Sequence, residues 1–204
     1  MLTYIEYISR RPGVSLEHFH TLMAMGQGGW ASGYDDDVLL LMLGRTWRIG
    51  PEPEYMCVWY TEAQGLNRID EWERAFRTGE ADKFHVPFQL AARIDRAGCY
   101  DALIQPVRTG NERFFAEFFD FDAPAGRDDV RSEYARRAER SDGVELVLLL
   151  DRIGELGPDP RGLAMWALPA WSALEGVARE LGSAAGPVRP VTAGLYSTLG
   201  QETL

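Results

Sequence analysis

Alternating or continuous apolar positions predict four strands in the first half of the chain. The pattern covers residues 3–9, 38–48 and 55–61, and a Gly-Pro-Glu-Pro turn joins the second of these strands to the third. Residues 38–43 are apolar without alternation, so both faces of that strand are expected to be covered. A last strand is predicted at 100–105.

Helical periodicity predicts two helices between these strands. Ser15 has the character of an N-cap, and Phe19 and Met23 fall on one face of the helix that follows it. Ile69 and Trp72 share a face of a second helix, after the third strand. The predicted order is therefore β-α-β-β-α-β.

The second half of the chain repeats this order. Residues 43–59 match residues 150–166 without a gap, and the matched pairs are Leu43/Leu150, Arg45/Arg152, Gly50/Gly157, Pro51/Pro158, Pro53/Pro160 and Trp59/Trp166. Strands are predicted at 113–121, 144–152, 163–168 and 191–199, and helices at 127–141 and 171–181. The expected domains are an N-terminal repeat at 1–105, a linker at 106–111 and a C-terminal repeat at 112–204.

The element order of each repeat predicts an α+β fold of two tandem ferredoxin-like units, each an antiparallel sheet with both helices on one face. The apolar second sheet face predicts that the two sheets pack together into one barrel-like core. This pattern resembles the dimeric α+β barrel superfamily in tandem form. That superfamily includes stress-responsive A/B barrel, EthD-like and polyketide cyclase-like proteins, cofactor-free monooxygenases and haem-binding relatives of chlorite dismutase.

Differences between the repeats indicate where a site would lie, because a duplicated enzyme needs only one. All three histidines, His18, His20 and His85, are in the first half. Trp166 follows Trp59 by 107 residues, whereas Gly194 follows Gly98 by 96. The first repeat therefore carries 11 additional residues, expected at 78–88, and His85 lies among them. An insertion at the rim of such a fold can form a lid or a pocket wall.

The Phe-His-Val-Pro-Phe sequence at 84–88 resembles a stretch of the stress-responsive A/B barrel family, in which the histidine is the catalytic base. The resemblance implies that His85 is a general base, for which the ordinary histidine pKa of about 6.5 is suitable. A structural role for His85 is the alternative. His20 is predicted on the sheet-facing side of its helix and His18 on the opposite side.

Other first-half residues complete the candidate site. His20 or Tyr55 is the candidate hydrogen-bonding partner for a developing enolate or phenolate. Aromatic side chains are the candidates for a wall around a flat apolar substrate, and these are Trp30, Tyr34, Phe84 and Phe88. Core packing is the alternative for His20 and for each aromatic residue.

Glu6 lies in the middle of the first strand, where a carboxylate needs a partner. Arg45, on another predicted strand, could provide one. Glu6 recurs as Glu117 and Arg45 as Arg152, and this repetition favours a structural ion pair, or one at the seam between the two halves, over a catalytic role.

Charge and composition narrow the class of partner. The chain has 21 basic and 31 acidic residues, a net charge of −10, which argues against nucleic acids and anionic membranes. It shows neither a secretion-signal pattern nor an apolar run long enough to cross a bilayer. Cys57 and Cys99 form no metal-binding spacing, so we expect reduced cysteines, no metal site and a cytoplasmic location.

The resemblance implies a small cofactor-independent enzyme, a cyclase, isomerase, lyase or monooxygenase, that acts on an apolar aromatic or polyketide-like molecule. One alternative is a haem-binding protein of the same superfamily, with a histidine as axial ligand. Another is a non-enzymatic small-ligand-binding or interaction module. A homodimer formed through remaining apolar surface is also expected.

Overall fold

The structure is a computed structural model, and it describes residues 2–30, 37–46, 53–61, 67–80, 89–121, 126–154, 160–182 and 186–199. In the first half the elements are β1 (Leu2–Arg10), α1 (Leu16–Trp30), β2 (Asp37–Arg45), β3 (Tyr55–Thr61), α2 (Asn67–Thr78) and β4 (Ala92–Ala102). In the second half they are β5 (Arg113–Phe121), α3 (Arg127–Arg140), β6 (Glu145–Arg152), β7 (Gly162–Leu168), a 3-10 turn (Trp171–Ala173), α4 (Leu174–Gly182) and β8 (Val188–Thr198).

The predicted fold class is confirmed: the protein is α+β, built from two β-α-β-β-α-β repeats on antiparallel strands. Most predicted bounds lie within a few residues of the observed ones. The largest difference is β4, which begins at Ala92 instead of residue 100. Arg93, Ile94 and Asp95 are all exposed there, so the apolar alternation on which the prediction depended is missing from this part of the strand.

The first compact unit comprises Met1–Gly44, Pro53–Cys99 and Leu199–Leu204. Its strand order is β4-β1-β3-β2, and β3 pairs antiparallel with both β1 and β2. The predicted cap of α1 is present, because the Ser15 hydroxyl accepts a hydrogen bond from the His18 backbone amide at 3.1 Å. Phe19 and Met23, the predicted apolar face of α1, are both buried against the sheet.

The second compact unit comprises Arg45–Glu52 and Tyr100–Thr198, and its strand order is β8-β5-β7-β6. The end of β4 belongs to this unit, where Tyr100, Asp101 and Ala102 pair with β6. Val130 and Tyr134 of α3 are fully buried against Trp166 and the phenylalanines of β5. The boundaries predicted at residues 105 and 112 remain predictions.

The extra length of the first repeat lies between α2 and β4. Helix α2 has 12 residues and its counterpart α4 has nine. Thirteen residues (79–91) then precede β4, whereas five (183–187) precede β8. The first repeat is therefore longer in both the second helix and the connection after it. In the described part of the chain, no helix is long and apolar enough to cross a membrane.

Candidate functional site

The candidate site is the face of the first unit's sheet that packs against α1, which we call the first helix-facing layer. Alternation along β1 places Tyr4, Glu6 and Ile8 on this face. Ile8 packs there with Phe19 of α1 and with Trp59 of β3. Glu6 is thus a carboxyl group in an otherwise largely apolar layer.

The Glu6 carboxylate accepts a hydrogen bond from the Trp59 indole nitrogen at 3.2 Å. Only 6% of the Glu6 surface is exposed, and burial raises the pKa of this carboxyl to about 7, although the Trp59 hydrogen bond acts in the opposite direction. Burial and the nearby Glu6 charge also raise the pKa of the Tyr4 hydroxyl and of the Cys57 thiol. Glu6 can therefore exchange a proton near neutral pH.

Glu6 does not have the ion-pair partner that the sequence suggested. Its hydrogen-bond partner in the structure is Trp59, and among the described residues none forms a salt bridge with it. The predicted ion pair between Glu6 and Arg45 is therefore not observed. The Glu6 carboxyl group is instead hydrogen-bonded to a neutral donor.

The equivalent carboxylate of the second unit, Glu117, has a charged partner. Arg137 of α3 donates to it at 3.2 Å through Nη1, and donates to Glu133 at 2.8 Å through Nε. Glu117 and Arg137 are both at most 1% exposed. In the second unit, a buried guanidinium therefore lies between two carboxylates.

Two further polar groups surround Glu117. The Tyr134 hydroxyl and the Trp166 indole nitrogen lie close enough to lower its pKa, although neither reaches hydrogen-bond geometry. Burial is the larger effect and raises the pKa of Glu117 despite these neighbours and Arg137. This layer of the second unit is filled by its own side chains.

The difference between the two carboxylates originates in the helices. Tyr4 faces Trp59 across β1 and β3, and Phe115 faces Trp166 across β5 and β7, so equivalent residues of β1 and β5 lie 111 positions apart. The same spacing relates the first residues of α1 and α3. Met23 and Tyr134, which are both buried, are also 111 residues apart. By the same spacing, Gly26 of α1 is the residue equivalent to Arg137 of α3.

His20 and Tyr55, two predicted site residues, are brought together. The His20 Nε2 atom lies 3.4 Å from the Tyr55 hydroxyl, and the two rings meet edge to face with centroids 6.0 Å apart. His20 is partly buried on the sheet side of α1 and His18 is exposed, as their helical positions predicted. Tyr55 is 3% exposed, and its ring also contacts Phe19 at 4.6 Å between centroids.

Tyr55 has no aromatic counterpart in the second repeat, where its position is Gly162. Ile8 pairs with Tyr55 across β1 and β3, and Phe119 pairs with Gly162 across β5 and β7. The Phe119 ring lies over Gly162, since a Cβ atom added there would be 2.2 Å from its Cζ atom. Each of these two cross-strand pairs therefore contains one aromatic ring, Tyr55 in the first unit and Phe119 in the second. Of the two, Tyr55 has a hydroxyl, and this hydroxyl faces His20.

The remaining predicted site residues lie outside the described residues: Tyr34, Phe84, His85 and Phe88, and the side chain of Trp30. Their roles remain predictions. Glu6 was assigned to the scaffold because it recurs in the second repeat. A comparison of residues 111 apart in the sequence would have shown the difference, because Glu117 has Arg137 on the following helix and Glu6 has Gly26 at the equivalent position.

No protein-family model matches the chain, and no curated protein matches it. Solved structures do match. A mutant chlorite dismutase from Candidatus Nitrospira defluvii has a TM-score of 0.60 at 9% identity, covering 99% of this chain and 92% of that one. A haem-binding protein from Thermus thermophilus has a TM-score of 0.62 at 8% identity, with coverages of 99% and 92%.

A proposed monooxygenase from Fusobacterium nucleatum also matches, with a TM-score of 0.62 at 8% identity and coverages of 98% and 91%. At these identities the likeness shows the fold alone. The chain has a ferredoxin-like α+β fold, as the sequence predicted.

The histidines of the described residues are His18, which is exposed, and His20. His20 is the described histidine that is partly buried, and its Nε2 atom faces the Tyr55 hydroxyl. The second repeat contains no histidine. Arg137, Tyr134 and Trp166, each at most 1% exposed, fill its helix-facing layer.

Proposed function

We propose that the chain is a cofactor-independent enzyme whose site is the first helix-facing layer, and that it acts on an apolar aromatic or polyketide-like small molecule. The observation that carries this proposal is the buried Glu6 carboxyl, which is bound to Trp59 without the arginine of the second unit. A carboxyl group with a pKa of about 7 can take up or release a proton at working pH.

The His20–Tyr55 pair supplies a second polar group on the same side of the sheet. A tyrosine hydroxyl beside an imidazole can donate a hydrogen bond to an oxygen that gains negative charge during proton abstraction or cyclisation. His85 remains the proposed general base by its resemblance to the stress-responsive A/B barrel family. The proposed reaction class is therefore proton transfer at an aromatic or enolisable carbon: cyclisation, isomerisation, elimination or cofactor-free oxygenation.

Ligand binding and turnover test this proposal. A panel of neutral bicyclic aromatics, with 2-naphthol as the reference, is screened by thermal shift and calorimetry, and the compounds that bind are assayed for turnover. His20→Asn and Tyr55→Phe are expected to lower kcat by at least about tenfold, since acid–base groups usually contribute about 10²–10⁴. The matched control, Tyr134→Phe, alters the buried tyrosine of the second unit and should retain activity.

Normal turnover in both His20→Asn and Tyr55→Phe would remove these residues from the mechanism. His85→Ala is expected to abolish turnover with an almost unchanged Tm. Full activity in that variant would contradict the role of His85. Binding of aromatics without turnover of any would favour the non-enzymatic binding module.

Haem binding is the second candidate, supported by the fold shared with a haem-binding protein and a chlorite dismutase. It requires an axial ligand, for which His85 is the candidate outside the described residues. Protein purified after expression with added haem precursor should show a Soret band on this hypothesis. A colourless protein that takes up no added haemin would exclude it.

The proposed setting is the cytoplasm, with a small molecule as the partner and neither nucleic acid nor a membrane. The net charge of −10 supports the absence of nucleic acid partners. A homodimer remains part of the proposal, and light scattering at several protein concentrations tests it.

A further inference from the structure

Each repeat buries a glutamate at the same strand position, but the groups around the two carboxylates differ in charge. In the second unit, the guanidinium of Arg137 lies against the Glu117 carboxylate and over the Tyr134 ring, 4.9 Å from its centroid. In the first unit, Glu6 occupies the equivalent strand position, but the equivalent helix position is Gly26. Among the described residues of the first repeat, no helix supplies the positive charge that Arg137 supplies in the second.

The groups around Glu6 do not replace this charge. Tyr4 on the same strand and Cys57 on β3 are the titratable groups whose interaction with Glu6 raises their own pKa values. The Trp59 indole is neutral. Among the described residues of the first unit, none forms a salt bridge with Glu6. A buried carboxylate without a counter-ion is costly, and a bound cation would reduce that cost.

We propose that the first helix-facing layer binds a ligand with a cationic head group, an ammonium or guanidinium on an aromatic body, and that Glu6 is its counter-ion. This inference rests on the proposed function, and it adds a charged head group to the aromatic substrate proposed for that site. The cation of the ligand would take the place that Arg137 has in the second unit. Trp59 would hold the carboxylate by its hydrogen bond and offer an aromatic neighbour to the cation.

Two probes that differ only in charge test the inference. 2-Naphthylmethylamine and 2-naphthylmethanol share the same ring system and are titrated into the full chain by calorimetry at pH 8. We expect the amine to bind at least ~10-fold tighter, since a charge-assisted hydrogen bond in a buried site contributes that much or more. In Glu6→Gln the preference for the amine should vanish. The matched control Glu117→Gln should keep it, and Tyr134→Phe replaces that control if Glu117→Gln does not fold.

A second pair of variants tests whether the cation of the ligand takes the position that Arg137 has in the second unit. Gly26→Arg installs the arginine of the second unit and should weaken binding of the amine at least ~10-fold by occupying the counter-ion position. Gly26→Ala changes helix propensity without adding charge and should bind the amine normally. Equal amine affinity in the two variants would contradict the inference.

The outcomes separate this inference from the function on which it rests. If both probes bind the native chain equally, the aromatic site stands and the cationic class is wrong. If neither probe binds the native chain, the cationic class is contradicted, and the panel of neutral aromatics decides the proposed function separately. If the amine is preferred equally in the native chain and in Glu6→Gln, the charge is recognised elsewhere and the assignment of Glu6 fails.

Discussion

Two glutamates at equivalent strand positions behave differently because of their neighbours. Glu6 is buried beside a neutral donor, Trp59, whereas Glu117 is buried against Arg137. Burial raises the pKa of both carboxyls, but only Glu117 has a buried cation that stabilises its charged form. The same residue type therefore destabilises the first unit at high pH and contributes to a charged network in the second.

Glu6→Gln is predicted to make the protein more stable at pH 8. The pKa of Glu6 is about 7 in the folded chain and near 4.5 when unfolded, so the folded state binds more protons between these values and stability falls as pH rises through this window. Removing the charge should recover on the order of 3 kcal/mol at pH 8 and almost nothing at about pH 4.5. Thermal unfolding of both proteins at the two pH values measures this.

Glu117→Gln is the matched comparison, and a smaller gain in stability at pH 8 is predicted, because Arg137 offsets part of the burial that raises the Glu117 pKa. Arg137 would keep Glu133 but lose one of its two buried carboxylates, and this loss works against the gain from removing the buried Glu117 charge. Equal effects of the two substitutions would contradict the assigned difference between the repeats.

Local residue chemistry was partly predictable from the sequence. The Ser15 cap and the inward direction of His20 follow from helix geometry, and both are observed. The partner of Glu6 was predicted wrongly, because repetition of Glu6 and Arg45 in the second half suggested that they paired. The repetition of a residue shows that its position in the fold is retained. The partner of a buried carboxylate depends in addition on the side chains of the helix that packs against it.

At the scale of elements, apolar alternation was a good guide where one sheet face is buried. The bounds of β3 and β5 match the prediction, and their residues are almost all buried. The first part of β4 is exposed and polar. Its place in the sheet depends on backbone hydrogen bonds, which the pattern of apolar side chains does not predict. The cross-strand packing of Phe119 over Gly162 was likewise invisible before the strand register was known.

Gly162→Ala is predicted to destabilise the second unit. A Cβ atom at Gly162 would lie 2.2 Å from Cζ of the fully buried Phe119 ring, so β5 and β7 would have to shift. Overpacking of this kind costs about 2 kcal/mol. Denaturant unfolding of the variant measures the loss.

The control for Gly162→Ala is Gly176→Ala in α4, where an added Cβ atom meets nothing within 4 Å. That variant should gain up to about 1 kcal/mol from helix propensity. A Gly162→Ala protein as stable as the native chain would show that the Phe119 ring has room to move.

At the scale of the whole chain, duplication made the fold predictable and left the chemistry open. Element order alone indicated the α+β class that the structure and its structural relatives show. Those relatives are at most 9% identical in the three cases compared, so they carry no residue-level information. The asymmetry between repeats is the more informative feature: the second helix-facing layer is filled by Arg137, Tyr134 and Trp166, whereas the first keeps a carboxyl group without its arginine.

We propose that the ligand binds in the first unit. Trp59 and Trp166 occupy equivalent positions in the two repeats, so their indole ¹H–¹⁵N signals, assigned with Trp→Phe variants, report on the two layers separately. On titration with 2-naphthol, we expect the Trp59 signal to shift with ligand concentration and the Trp166 signal to stay in place. A shift of Trp166 with Trp59 unchanged, or no shift of either signal, would contradict this proposal.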